Sequence, residues 1–315
     1  MIDMTGIKDR RLESTDTLRQ IQLTELYLLE VLDRICKKHS IRYCLGWGTL
    51  LGAMRHDGFI PWDDDLDVAM PRKDYKKFLK VAPAELPPNL FLQTPKSSPG
   101  VFEYFAKVMD LSSLGLQVTS SVERPCGLYV DVFPVDAMAY FRGRAWKLLH
   151  KGCSFAWRRG RLHRAAGHAT AWGTFLSAGA CAAYSIARMA LHAAMKLCGI
   201  FTRKRALYIA PESGGVSVGV PVEINDFLPF GEHVFEGGMF PVPHDADRVL
   251  RTYYGNWRTP PPPHEQIHKH TAIFLPVQTI PFWWTYPHAS LSESEAAAIT
   301  HVPKYLVTLQ DSARR

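Results

Sequence analysis

Residues 46–75 read GWGTLLGAMRHDGFIPWDDDLDVAMPRKDY. Asp63, Asp64, Asp65 and Asp67 crowd one short stretch of it. Like charge at that density is costly unless a cation sits among it or water solvates it. The apolar run that follows, Leu66 to Met70, predicts a strand. On a strand Asp65 and Asp67, two apart, share a face. Two carboxylates at a strand end suit a hard cation, Mg²⁺ or Mn²⁺. A DDD triplet is more often an acidic surface turn. What sets this one apart is Gly48-Thr49 upstream and the flanking Arg55-His56.

Working outward, Ile41, Tyr43 and Leu45 alternate as a strand, and Gly46 and Gly48 break it. A short helix beginning at Thr49 and running to Arg55 would aim backbone N–H groups and a hydroxyl at one point, a natural phosphate cradle. Arg55 reads either as a fork for donor phosphate or as a surface partner of the acids. Ser14, Thr15 or Asp16 caps a helix to about Lys38, with Ile21, Leu28, Leu32 and Ile35 on its core face. Residues 1–16 read as a loose arm. Pro71 suits the first position of a helix to about Val81, closed by Pro83, Pro87 and Pro88. Strands are expected at Leu90 to Gln93, Phe102 to Met109 and Leu116 to Thr119, with Lys107 near the site edge. In Gly127 to Asp136, Leu128, Val130 and Val132 point one way and Tyr129, Asp131 and Phe133 the other. A carboxylate such as Asp131 in an apolar strand needs a partner or a metal. Asp136 reads as a turn or cap residue.

The quoted run resembles the signature of the LicD family, which includes bacterial phosphocholine transferases and is related to fukutin and fukutin-related protein. That family belongs to the nucleotidyltransferase superfamily, with a Gly-Ser/Thr turn, a D-x-D strand and a third acid on a neighbouring strand. Phe240-Pro-Val-Pro, Leu250, Tyr254-Gly255 and Pro260 to Pro263 resemble the family's C-terminal region. The resemblance covers about 18–140 and 206–270. It implies an α+β fold, a nucleotidyltransferase-like mixed sheet flanked by helices, with a basic, mainly helical insert. It also implies that Asp65, Asp67 and Asp131 are catalytic and hold Mg²⁺ or Mn²⁺, with Asp63 and Asp64 supporting. Gly48, Thr49, Arg55, His56 and Lys107 become substrate-binding candidates. Asp131 is either the third ligand or a general base toward an acceptor hydroxyl.

The implied reaction moves a substituted phosphate, such as phosphocholine, from a CDP-linked donor to a sugar hydroxyl of a surface glycan or glycolipid. CMP is released. Nucleotidyl transfer, releasing pyrophosphate, is the alternative, and a non-catalytic binding module the second. Trp47, Trp62, Tyr104, Tyr129 and Phe133 are available as a cage for a quaternary ammonium, or as core.

The chain has 315 residues, 47% hydrophobic, enough for one or two domains. Between Ala137 and Pro211 there is no Asp or Glu, yet 13 Lys and Arg; with a net charge of +7, the remainder carries 7 − 13 = −6. The chain is thus read as an arm (1–16), a catalytic core (17–140), a basic helical insert (141–205), the core's C-terminal part (206–275) and a tail (276–315). The insert is uncharged from Ala165 to Ala187, but its His, Thr, Ser and Gly make it a poor membrane span. It reads as a helical hairpin packed on the core, or as an amphipathic element whose arginines meet an anionic membrane surface. No nucleic-acid motif accompanies the charge. His264, His268 and His270 have metal-like spacing on a Pro-rich segment without partner cysteines. The polar start lacks an apolar signal region. The six cysteines form no C-x-x-C. Both suit a cytoplasmic protein, or one peripheral on the inner membrane face.

Overall fold

A computed structural model describes residues 2–94, 96–97, 105–119, 122–139, 190, 205–209, 222–267 and 271–275. Helix α1 (Thr17–Lys38) begins where Asp16 accepts the Arg19 N–H, and Lys37 and Lys38 lie in its last turn, against the negative end of the dipole. Its expected core stripe is buried, but so are Gln22, Thr24 and Glu25. The helix is therefore interior on more than one face, packing on strands of the main sheet.

The strands in chain order are β1 (Cys44–Leu45), β2 (Asp67–Pro71), β3 (Leu90–Gln93), β4 (Ala106–Asp110), β5 (Leu114–Thr119), β6 (Val122–Cys126), β7 (Tyr129–Ala139), β8 (Arg205–Ile209), β9 (Val222–Glu223), β10 (Gly231–Phe235), β11 (Gly238–Val242) and β12 (Thr271–Leu275). The main sheet runs β1-β2-β7-β4-β3, with β8 on the far part of β7 and β9 beside β8. Only β2 and β7 pair in parallel; the rest of this sheet is antiparallel. It is the mixed sheet the resemblance implies, flanked by α1, α2 (Trp47–His56) and α3 (Arg72–Glu85). A second sheet, β12-β5-β6, and the β10–β11 hairpin complete the strands. Helices α4 (Ile224–Phe227) and α5 (Ala246–Tyr254) follow, the latter capped by Asp245.

Several expectations are corrected. Residues 2–13 are not a loose arm: Ile2 is buried in the main core and donates its N–H to the Glu85 carbonyl. Arg11 is buried and pairs with the fully buried Asp110, Nη1 to Oδ2 2.5 Å. Helix α3 runs through Pro83 to Glu85, and Pro71 is its N-cap. A proline in the last turn removes one hydrogen bond, which the end of a helix tolerates better than its middle. Asp136 is neither turn nor cap; it is buried in β7, where Arg72 grips it from both Nε (3.1 Å) and Nη2 (2.7 Å). Helix α2 starts at Trp47, two residues before the expected Thr49.

Of the 141–205 insert, only residues 190 and 205 are described. Ala139 and Arg205 are register partners on β7 and β8. Tyr104, His268, His270 and the 276–315 tail also lie outside the described residues. Among the described residues no helix is long and apolar enough to cross a membrane.

Two predictions concern stability. Removing Arg11 strands the buried Asp110 carboxylate, which costs on the order of 3–5 kcal/mol. Arg11→Met should lose about that much in urea unfolding, and a loss below ~1 kcal/mol would show that the pair is not holding the segment down. The second concerns Glu85, which accepts hydrogen bonds from Lys38 Nζ (2.9 Å) and His39 Nε2 (2.7 Å) and so ties the ends of α1 and α3 together. The Lys38 bond foremost, then that of His39, lowers its carboxyl from 4.5 to about 2. A depressed carboxyl stabilises the fold above its unfolded value and loses that contribution as pH falls through the folded one. The stability gap between wild type and Glu85→Gln should therefore be full above pH 4.5 and vanish by about pH 2. A gap that does not change over that window contradicts the assignment.

Candidate active site

The strand register draws the site together. Asp67 on β2 stands beside Asp131 on β7, Asp131 opposite Lys107 on β4, and Lys107 opposite Gln93 on β3. Four polar residues far apart in sequence thus form one row across four strands, while the next row, Val68, Val132 and Ala106, is buried and apolar. Paired strands lie about 4.8 Å apart, so Asp67 and Asp131 are close neighbours. Lys107 is buried, and its Nζ donates to Asp131 Oδ1 at 2.7 Å. The same ammonium sits 3.5 Å from the centre of the Tyr129 ring and 5.0 Å from that of Phe105. Aromatic faces attract a cation that has left water.

Burial first, then the charges of Asp65, Asp131 and Asp63, push the Asp67 carboxyl well above the usual carboxylate range; Lys107 opposes this. Asp65 does not share a strand with Asp67, because β2 begins at Asp67 and Asp65 lies in the preceding loop. The two acids still meet, through the path of the loop rather than through strand periodicity. The loop is held by α1: Gln22 Nε2 donates to the Ile60 carbonyl (3.3 Å) and the Asp63 carbonyl (3.0 Å). One turn earlier, Arg19 forks onto Glu236, Nη2 to Oε2 2.6 Å, and Glu236 Oε1 accepts the Phe59 N–H at 3.1 Å. Asp64 is buried beneath the loop.

The N-terminus of α2 faces these acids. A Cβ on Gly48 would stand 2.9 Å from Asp63 Oδ2, so the glycine admits the carboxylate to the helix end. Thr49 is buried, and its Oγ1 accepts the Asp67 N–H at 2.8 Å, bracing the first residue of β2. Trp47, at the first position of α2, has a left-handed φ of 40°, a conformation costing roughly 1–3 kcal/mol outside glycine. Its ring packs on Phe133 at 4.8 Å, and Phe133 on Phe105 at 4.3 Å. Of the five candidate cage aromatics, Trp47 and Phe133 thus pack together and Tyr129 carries Lys107. Trp62 packs against the main core.

Arg55 and His56 end α2. Arg55 Nε donates to His56 Nε2 at 2.9 Å, and Nη1 to the Trp257 carbonyl at 3.0 Å. Burial lowers the Arg55 pKa, and Asp63 opposes it; burial and Arg55 lower that of His56. The bond to Trp257 brings the C-terminal Tyr-Gly-Asn-Trp segment to the site. Tyr254 in this segment is exposed, and its hydroxyl is raised, by desolvation first and then by Asp67, Asp63 and Asp65. Gln22 and Glu25 are not among the residues that the sequence motifs single out. Glu25 was detectable: its helical neighbours Ile21, Leu28 and Leu29 are all apolar. A small cavity of about 20 Å³, lined by Leu45, Trp47, Leu50, Val135, Phe227 and Tyr253 among others, lies apart from the acids. It has room for little more than one water.

Among the described residues no three His, Cys, Asp or Glu side chains are gathered into a ready-made metal site. The donor set around Asp67 is nonetheless all oxygen, and its crowding raises the very carboxyl a cation would relieve. Such donors fit Mg²⁺ or Mn²⁺ and not a soft metal. His264, the described member of the histidine series, is exposed and 3.6 Å from Glu265.

Residues 40–156 match the family described as LicD/FKTN/FKRP, nucleotidyltransferase domain. The chain is similar to the lipopolysaccharide cholinephosphotransferase LicD of Haemophilus influenzae, 27% identical over 268 residues, or 81% of this chain and 96% of that protein. Two uncharacterized proteins match over 56 residues, 18% of this chain: one of Rickettsia typhi at 41% identity and one of Rickettsia prowazekii at 39%, covering 18% and 21% of their own lengths.

The repulsion on Asp67 predicts that function and stability conflict there. Without metal, Asp67→Asn should raise Tm by about 2–4 °C, since it removes a crowded charge and keeps the shape. A Tm at or below wild type would mean that the neighbouring carboxyls are already neutralised within the protein.

Proposed function

The chain belongs to the LicD family, and on that premise we propose that it transfers phosphocholine or a similar substituted phosphate from a CDP-linked donor to a sugar hydroxyl of lipopolysaccharide or a related glycan. The observation that carries this reading is the in-register row Asp67, Asp131 and Lys107 beside the acidic loop at the start of α2. The similarity to a lipopolysaccharide cholinephosphotransferase supports the transferred group and the acceptor.

Asp65, Asp67 and Asp131 would hold Mg²⁺ or Mn²⁺. The cation supplies charge neutralisation for a diphosphate and its leaving nucleotide. The acceptor oxygen forms a bond to the phosphorus that bears the transferred group, and the bond from that phosphorus to the CMP oxygen breaks. The acceptor's proton leaves to a carboxylate, the alternative role for Asp131, which stands between Asp67 and Lys107 in the row. Lys107 holds Asp131 in position and adds positive charge at the same point. Arg55, whose charge reaches Asp63 and whose Nη1 bonds the Trp257 carbonyl, and His56 beside it would meet the donor phosphate. The basic segment between Arg142 and Arg205 would favour an anionic acceptor or membrane surface.

The test is incubation of the purified chain with CDP-choline, lipopolysaccharide and Mg²⁺. CMP should appear together with phosphocholine on the acceptor by mass spectrometry. Pyrophosphate released from CTP in its place would favour nucleotidyl transfer. Asp65→Asn and Asp67→Asn should each lower turnover by roughly two to three orders of magnitude with the fold intact. Turnover within a few-fold of wild type would sink the cation assignment.

A further inference from the structure

Glu25 is unlike the other acids. It sits in the middle of α1 and is 2% exposed. Its Oε2 is buried and has no hydrogen-bond partner. A buried carboxyl normally finds a donor or is replaced by an apolar residue, because an unsatisfied polar group is expensive in a core. Gln22, one turn before it, holds the acidic loop by two carbonyls, so this face of α1 is the floor of that loop. The carboxyl lies within electrostatic reach of Asp65, Asp64, Asp63 and Asp67, in decreasing order.

Those neighbours carry one sign. Lys107 is bound to Asp131, and the charge of Arg55 reaches Asp63. Burial foremost, then these aspartates, raise the Glu25 carboxyl well above the usual range, a state that a positive species entering among them would relieve. Glutamine or leucine at this position would avoid the conflict, and both suit a helix interior as well as glutamate does.

We propose that Glu25 is a positioning residue of the divalent-cation site, its unpartnered oxygen facing from beneath a cation held by the Asp63–Asp67 loop and reaching it directly or through a bound water. This rests on the cation-dependent reading above but adds a residue that neither the D-x-D pattern nor the strand register supplies. Residues in such a supporting place usually change metal affinity 10–100-fold when altered.

Mn²⁺ alone is the probe, titrated into the full chain and followed by its electron paramagnetic resonance signal, without nucleotide. Glu25→Gln keeps the shape and removes the charge. It should raise the Mn²⁺ dissociation constant at least about tenfold, while the metal-free Tm does not fall. Glu25→Asp keeps the charge but withdraws it by one methylene, and should fall between the two. A purely structural glutamate would show the reverse, a lower Tm with Mn²⁺ affinity unchanged. The proposal is overturned if Glu25→Gln binds Mn²⁺ within twofold of wild type, if Glu25→Asp does so where the glutamine variant fails to fold, or if the wild type binds no Mn²⁺. Each of those leaves phosphocholine transfer to be judged by its products. Conversely, a tenfold loss of Mn²⁺ affinity in a protein that turns over no CDP-choline would uphold Glu25 and remove the donor.

Discussion

Two carboxylates set side by side on parallel strands are the constraint that the rest of this structure accommodates. The pairing of β2 with β7 places Asp67 beside Asp131, and neither can move without breaking the sheet. The protein surrounds them with partial compensation. Lys107 comes from the opposite strand, Thr49 fixes the start of β2, and Gly48 admits Asp63 to the positive end of α2. Burial first, then the neighbouring acids, still raise the Asp67 carboxyl. Natural proteins tolerate such local conflict where binding resolves it.

How far this was legible depended on distance along the chain. The acidic run, its glycine-threonine turn and Asp131 stand out because each breaks an apolar pattern that local physics explains. Helix α1 and strand β3 follow from periodicity and capping. The polar row does not, because Asp67, Asp131, Lys107 and Gln93 meet only through register, and register is a property of pairing. Asp65 is instructive: its proximity to Asp67 was expected for the wrong reason, a strand that in fact starts two residues later. Asp136 and the 2–13 segment went astray because their partners, Arg72 and the Asp110 and Glu85 positions, lie far along the chain. An acid flanked by valines is conspicuous in a strand. One buried in a long helix is marked only by neighbours three and four positions away, as Glu25 is by Ile21, Leu28 and Leu29.

The site is also composite in the order of the chain. Helix α1 holds the loop from below, α2 and the loop supply the glycine turn and the acids, β4 and β7 Lys107 and Asp131, and the segment after α5 the Trp257 carbonyl. The bond from Arg55 to the Trp257 carbonyl joins the second and the last of these across 202 positions. A family match over 40–156 therefore captures the acids but not α1 or the segment after α5.

The register partnership of Ala139 with Arg205 has a consequence for how such a chain diversifies. Residues 140–204 leave and re-enter the sheet at adjacent points, as a tight turn would. Closing a longer loop costs only about 0.6 kcal/mol for each doubling of length, so growing from a turn to this excursion amounts to ~2.5 kcal/mol. The junction is thus a port at which whole segments can be exchanged while the main sheet keeps its geometry. Length can vary here without disturbing the register that sets Asp67 beside Asp131.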